Sequence, residues 1–282
     1  MNKILFNDEI TERKKLVDIE DRGYQFGDGI YEVIGVYAKS PFLMDEHLDR
    51  LERSANELRL HLPFNKLEIK EKLEKLVSAN GLEEGLIYLQ ISRGIASRSH
   101  EFPDPNTPPT VVAYTKAIGD LSELQNNGST AVLTEDIRWL RCDIKTLNLL
   151  PNTLAKQKAV ENNAIEAIFH RGDVVTEASS SNVFIVKSGK LYTHPANNLI
   201  LNGITRQKVI QLCGELKLPV MEEPFTVENL FEADEVFITA TKTDIVPITK
   251  IDGKDINDGK PGKITLQLLE QFRMLTTSVS TR

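Results

Sequence analysis

The chain has 282 residues, 40% of them apolar and 27% charged, with a formal net charge of −7. Such a length suggests about two domains, and the acidic balance argues against nucleic acid or an anionic membrane surface as a partner, since either calls for a basic patch or stripe. No apolar run reaches the roughly 18 residues of a membrane span, and the distant Cys142 and Cys213 offer neither a disulfide framework nor a zinc-ligand spacing, so a reducing, cytoplasmic setting without a metal is expected.

The opening "MNKILFNDEI" has only a short apolar run before Asn7 and Asp8, too little for a signal peptide. Tyr31 to Ala38, "YEVIGVYA", reads as a strand. "EHLDRLERSANELRL" puts Leu48, Leu51, Ala55 and Leu58 on one helical face. "NKLEIKEKLEKLVSANG" reads as a second helix, with Asn65 and Glu68 as a capping box and Gly81 as its stop. "LIYLQISRG" and "TVVAYTK" are strands, separated by the proline-rich loop "IASRSHEFPDPNTPP". The polar stretch around Asn126-Asn127-Gly128 is a linker, which places an N-terminal α/β domain over 1–119, the linker over 120–128 and a second domain over 129–282. In that second domain strands are expected near "TAVLTED", "AIEAIFH", "NVFIVK" and "KLYTH", with turns at Arg171-Gly172-Asp173 and Ser188-Gly189. Helices are expected at "NTLAKQKAVENN", "TRQKVIQLCGEL", "TVENLFEA" and "KITLQLLEQFRML". Neither a GxGxxG after a strand nor a P-loop is present, which speaks against a doubly wound nucleotide fold.

Four places bear chemistry. Lys145 interrupts the apolar run "IRWLRCDIKTLNLLP"; a buried ammonium is costly, so Lys145 either reaches water at a turn or serves as a Schiff-base lysine toward a carbonyl compound. Glu177 precedes a serine run in "VTEASSSNVF"; it is either a solvated residue of a turn or a carboxylate that keeps a pyridine ring protonated. In "LILNGITRQKVIQL", Gly203 and Thr205 stand before a helix, as a plain cap or as an anion cup of free N–H groups, with the threonines of "FITATKTD" as further phosphate donors. Arg98 and His100 alternate in "SRSHEFPDP", either in a solvated loop or as a fork for a carboxylate.

The order of "RGYQFGDGIYEV", "EHLDRL", "RWLRCDIKTLNLLPNTLAKQ", "TEASSSNVF" and "NGITR" along nearly the whole chain resembles the fold-type IV pyridoxal-phosphate enzymes. Within that family, "SRSHEFP" together with the Lys145 segment resembles the aminotransferases of D-amino acids. The resemblance implies an α+β (mixed α/β) fold of two domains, the smaller N-terminal one α/β and the larger built around a barrel-like sheet, with the site between them. It also implies homodimers whose partner closes part of each site. Lys145 would carry pyridoxal 5'-phosphate as a Schiff base and then move the proton. Glu177 would face the pyridine nitrogen. Arg50, the Ile204 and Thr205 amides and Thr241 would bind the phosphate, and Ser179, Ser180 and Leu201 would line the cofactor. Tyr31, Arg98 and His100 would trap the substrate α-carboxylate. The activity implied is ping-pong transamination, through pyridoxamine phosphate, between D-amino acids of the D-alanine, D-glutamate or D-aspartate type and 2-oxo acids such as 2-oxoglutarate or pyruvate. Thr146 stands where the family pattern has serine, and Ala240 and Lys242 flank Thr241 where it has hydroxyl residues.

Three other readings compete. An L-branched-chain aminotransferase would lack the Arg-x-His trap, and an aminodeoxychorismate lyase would share the lysine but eliminate rather than transaminate. A non-catalytic α/β binding protein would hold no cofactor, and Lys145 would be structural.

Overall fold

The computed structural model describes residues 3–14 and 17–278; the outermost residues of both expected domains lie outside these. The chain divides into two compact units. One comprises the described part of Met1–Gly119, Ile144–Asn148 and the described part of Thr276–Arg282, and the other comprises Asp120–Asp143 and Leu149–Leu275. The stretch read as a linker carries a short helix of the second unit, and the segment holding Lys145 belongs to the first.

The first unit contains β1 (Lys3–Phe6), β2 (Glu9–Glu12), α1 (Arg22–Phe26), β3 (Gly29–Tyr37), β4 (Ser40–Pro41), α2 (Met44–Glu57), α3 (Lys66–Asn80), β5 (Gly85–Ser92) and β6 (Thr110–Ala117). Its six strands form an antiparallel sheet in the order β2-β1-β6-β5-β3-β4. Alternation decides the faces. Ile30, Ile34 and Val36 of β3 and Ile87, Leu89 and Ile91 of β5 are buried with Leu48 and Leu51 of α2 and Leu73 and Leu76 of α3. Tyr31 and Val33 alternate with that buried set and are only half-buried. The expected capping box of α3 is present in full: Asn65 accepts from the Glu68 N–H, and Glu68 accepts from the Asn65 N–H.

The second unit contains α4 (Ser122–Asn127), β7 (Ser129–Glu135), α5 (Leu150–Glu161), β8 (Glu166–Arg171), β9 (Val174–Ala178), β10 (Asn182–Lys187), β11 (Lys190–Thr193), α6 (Ile204–Glu215), β12 (Val220–Glu222), β13 (Phe225–Thr226), α7 (Val227–Phe231), β14 (Glu235–Ala240), β15 (Asp244–Ile251), β16 (Lys254–Asp255) and α8 (Lys263–Ser278) up to Leu275. Nine strands run in the order β12-β11-β10-β14-β15-β7-β8-β9-β13, and β16 pairs with β15. This is the α+β architecture expected from the sequence, and the larger sheet is an open half-barrel with β12 and β13 as its edges. The pairs β7–β8, β7–β15 and β11–β12 are parallel. Ile168, Val183, Ile185, Val236, Ile238 and Val246 form its main core, and Ala155 and Ala159 of α5 pack on Ala167 and Phe169. The two expected turns, at Arg171-Gly172-Asp173 and Ser188-Gly189, join β8 to β9 and β10 to β11. Both cysteines are free and buried. Among the described residues no helix is long and apolar enough to cross a membrane.

Candidate active site

Lys145 does not lie in a regular strand. Cys142, Ile144 and Thr146 are buried in alternation, as in a strand, but the segment makes a single bridge, Thr146 with Ile30, before Leu149 and Pro151 lead into α5. Three backbone hydrogen bonds fix it. The Tyr31 N–H donates to the Lys145 carbonyl at 3.1 Å, the Leu147 N–H to Gly29 at 3.1 Å, and the Lys145 N–H to Ser54 Oγ at 3.3 Å. The Lys145 side chain is half-buried, its Nζ 4.2 Å from the centroid of the Tyr31 ring. Tyr31 in turn stacks on Tyr88.

Arg50 lies in the same unit with its guanidinium on Glu32, whose side chain sits on the core face of β3. Arg50 Nε and Nη2 each donate to this carboxylate at 2.8 Å, and His47 Nδ1 lies 2.8 Å from it. Burial drives the Glu32 carboxyl upward, but the Arg50 charge and the hydrogen bonds of Arg50 and His47 outweigh it and hold the group down at about 2. Burial also lowers His47, against the pull of Glu32. Arg98 and His100 are exposed and gather elsewhere, on the ring of Phe26: Arg98 Cζ is 4.5 Å from its centroid, and the His100 and Phe26 centroids are 5.5 Å apart. Among the described residues no hydrogen bond, ion pair or ring contact joins Tyr31 to Arg98 or His100. The structure thus brings Lys145 to Tyr31, and Arg98 to His100, without bonding the two pairs.

In the second unit Glu177 belongs to β9, not to a turn; the turn is Ser179 to Ser181. Glu177 is buried and accepts from Arg138 Nη1, from Asn182 Nδ2 at 3.0 Å and from the Leu201 N–H at 3.1 Å. Burial raises its carboxyl while the Arg138 charge opposes that, and the result is about 6. Arg138 is anchored from behind, its Nε and Nη2 each donating to Asp136 at 2.8 Å. The hydroxyls of Ser179, Ser180 and Ser181 all donate to the buried Glu166. α6 begins at Ile204 after Gly203, which has no side chain to cap it, so the N–H groups of its first turn are left without a side-chain acceptor there. A Cβ on Gly203 would stand against Asn182 Oδ1, closer than a real Cβ approaches. Thr241 lies in the turn after β14. Two residues earlier the Thr239 hydroxyl is buried with no hydrogen-bond partner, opposite Asn182 in the sheet.

Residues 29–251 match the family model described as "Amino-transferase class IV". The chain belongs to the class IV aminotransferase family. It is 50% identical over 281 residues to a D-alanine aminotransferase of Staphylococcus aureus (strain MSSA476), covering 99% of this chain and 100% of the relative. It is 51% identical over 275 residues to a D-alanine aminotransferase of Listeria monocytogenes (strain 10403S), covering 96% and 94%. Among solved structures, a branched-chain amino acid aminotransferase of Escherichia coli superposes with a TM-score of 0.91 at 26% identity, covering 98% of this chain and 94% of that one. A branched-chain amino acid aminotransferase of "T.th." with pyridoxamine 5'-phosphate superposes with a TM-score of 0.90 at 28% identity, with the same coverage.

Several groups of this class IV aminotransferase were not singled out from its sequence. Arg138 and Asn182 donate to Glu177, and Asp136 anchors Arg138; Glu32 accepts from Arg50, with His47 beside the same carboxylate; and Glu166 accepts from the serines. The local signals were the acid–base spacing of Asp136 and Arg138 and the nearness of Asn182 to Glu177, whereas Arg138–Glu177, Arg50–Glu32 and Ser180–Glu166 are 39, 18 and 14 residues apart. Chemically, the second unit pairs a buried, donor-bound carboxylate with a bare helix N-terminus, which suits a ring nitrogen and a phosphate.

Proposed function

We propose that this chain moves amino groups between D-amino acids, D-alanine among them, and 2-oxo acids such as 2-oxoglutarate or pyruvate, with pyridoxal 5'-phosphate as its cofactor. Family membership and the two D-alanine aminotransferases, each matched along nearly the full chain, support the substrate class. The branched-chain structures, at 26% and 28% identity, support the L-branched-chain reading less. The observation that carries the cofactor is the set around Glu177: a buried carboxylate held by Arg138, Asn182 and the Leu201 amide, with Asn182 also against Gly203 at a capless helix start and opposite the orphaned buried hydroxyl of Thr239 in the sheet. These groups fit a ring with one basic nitrogen and a phosphate arm.

When bound, pyridoxal phosphate supplies an aldehyde that condenses with an amino group and a pyridine ring that accepts electrons. Lys145 is the Schiff-base lysine. Glu177 holds the proton at the ring nitrogen, an opposite charge favouring the protonated ring. The Ile204 and Thr205 amides, the Thr241 hydroxyl and Arg50 bind the phosphate, and Ser179, Ser180 and Leu201 line the ring. Lys145 Nζ, once free of the cofactor, would take the α-proton of the substrate and hold it for transfer. Its station over the Tyr31 ring defines the direction the α-hydrogen must face. Tyr31, Arg98 and His100 hold the α-carboxylate so that the D enantiomer presents its hydrogen there. The protein acts as a homodimer: in one chain Arg98 and His100 rest on Phe26, and the trap is completed by the same residues of a second copy. Two free, buried cysteines fit a reducing, cytoplasmic location.

The test is amino transfer to 2-oxoglutarate from D-alanine, L-alanine and L-valine, read as pyruvate or glutamate released. Transfer from D-alanine alone, with ping-pong kinetics, is expected. Transfer from L-valine without transfer from D-alanine would replace the reading with the branched-chain one.

A further inference from the structure

Arg98 and His100 are exposed in the loop between β5 and β6. An exposed arginine has many rotamers to lose, so a fork held ready for a carboxylate needs a fixed support. α1 is built as one. The Phe26 ring receives Arg98 at 4.5 Å and Arg22 at 4.9 Å, and His100 packs on it at 5.5 Å. Arg22 Nη1 donates at 2.8 Å to the carbonyl of Ser99, the residue between Arg98 and His100. Arg22 is 3% exposed, and its Nε is fixed on Asp28 at 2.8 Å; Asp28 also accepts from Arg93 Nε at 2.9 Å. The start of the loop is stitched to the same bracket. The Arg22 N–H donates to Gly94, the Ala96 N–H to Glu20 and the Arg93 N–H to Asp28, and Asp21 bridges Ile95. α1 itself is pinned by the Asp21 cap at one end and by Gly27 at φ +65° at the other, a conformation that favours glycine.

We propose that Phe26 and Arg22 are positioning residues for the substrate carboxylate. Phe26 sets the directions of the Arg98 and His100 side chains, and Arg22 sets the backbone between them. The inference rests on the reading of Arg98 and His100 as carboxylate ligands.

The test compares Phe26→Leu, Phe26→Tyr, Arg22→Lys and Arg98→Ala in the holoenzyme, with KM for D-alanine and for 2-oxoglutarate, kcat and Tm measured for each. Phe26→Leu keeps an apolar side chain but removes the ring. Both KM values are expected to rise together by about fivefold, the worth of a cation–π contact. kcat should hold within about twofold, as for lost binding that is equal in ground and transition states. Phe26→Tyr should restore KM. Should Phe26→Leu not fold, Arg22→Lys carries the same test, because a lysine keeps the charge and loses the fork onto Ser99 and Asp28; it too should raise both KM values. A lowered Tm with unchanged KM in these variants, while Arg98→Ala raises KM, would overturn the inference and leave the carboxylate reading standing. Unchanged KM in Arg98→Ala would overturn both.

Discussion

At Glu177 burial and a neighbouring charge pull in opposite directions, and the balance leaves the carboxyl at about 6. Two consequences follow from the sign of that shift. First, kcat/KM should fall at acid pH, where Glu177 takes up a proton and ceases to hold one for the ring, and the fall should lie below the value of about 6 of the cofactor-free protein because the protonated ring favours the carboxylate. Arg138→Met removes the opposing charge and should move that fall to higher pH; an unmoved acid limb in the pH profile would show that Arg138 does not govern Glu177. Second, in the cofactor-free protein Glu177 binds its proton more tightly folded than unfolded. Its contribution to stability is full below its unfolded value and is lost as pH rises through about 6. Denaturation of the wild type against Glu177→Gln at about pH 4 and about pH 7 should show the wild type losing about 2 kcal/mol of relative stability at the higher pH. Glu32, held down at about 2, acts the other way, adding stability that is lost only as pH falls toward that value. Lys145 and Glu177 were readable because each was out of keeping with its neighbours. Arg138 was not, since its bond to Glu177 spans 39 residues, and Glu32 was hidden in a strand whose buried face is otherwise apolar.

At the scale of elements, the start of α6 and the β9–β10 turn depend on one another. Asn182, the first residue of β10, donates to both Glu177 and the Leu201 carbonyl, and Gly203 leaves room for it. Gly203→Ala should push Asn182 off and weaken pyridoxal phosphate binding by about tenfold, the worth of one hydrogen bond to a charged group. Equilibrium titration of the cofactor-free protein measures this, and an unchanged Kd would remove Gly203 from the site. Helices with strong local signals were legible: the α3 capping box and its Gly81 stop were read from the sequence and are present. β9 was not, because "TEASSSN" is rich in turn formers; pairing with β8 draws Thr176 to Ala178 into the strand and leaves only the serines to turn. α1, five residues long, has too few turns to show a helical period.

For the whole molecule, apolar runs announced seven of the sixteen strands among the described residues, chiefly the long central ones of each sheet, but strand order depends on contacts remote in sequence. Residues 144–148 illustrate the limit: they follow β7 in the chain yet pair with β3, which no local pattern conveys. The homodimer proposal makes a prediction of its own. Lys145→Ala and Arg98→Ala, each nearly inactive at low substrate, should recover activity when unfolded and refolded together. Half of the randomly formed dimers are mixed, and each mixed dimer carries one intact site of two, so about a quarter of wild-type activity is expected. No recovery, with mixed dimers demonstrated, would place Arg98 and Lys145 in the service of the same chain's site. The central claim, a Schiff-base lysine serving D-amino acids, is met most directly by the visible spectrum of the purified protein reconstituted with pyridoxal phosphate. A yellow band is expected that bleaches on adding D-alanine and persists with L-alanine, and that is missing from the Lys145→Ala variant. A band bleached by L-alanine alone, or a protein that stays colourless after reconstitution, would contradict the account.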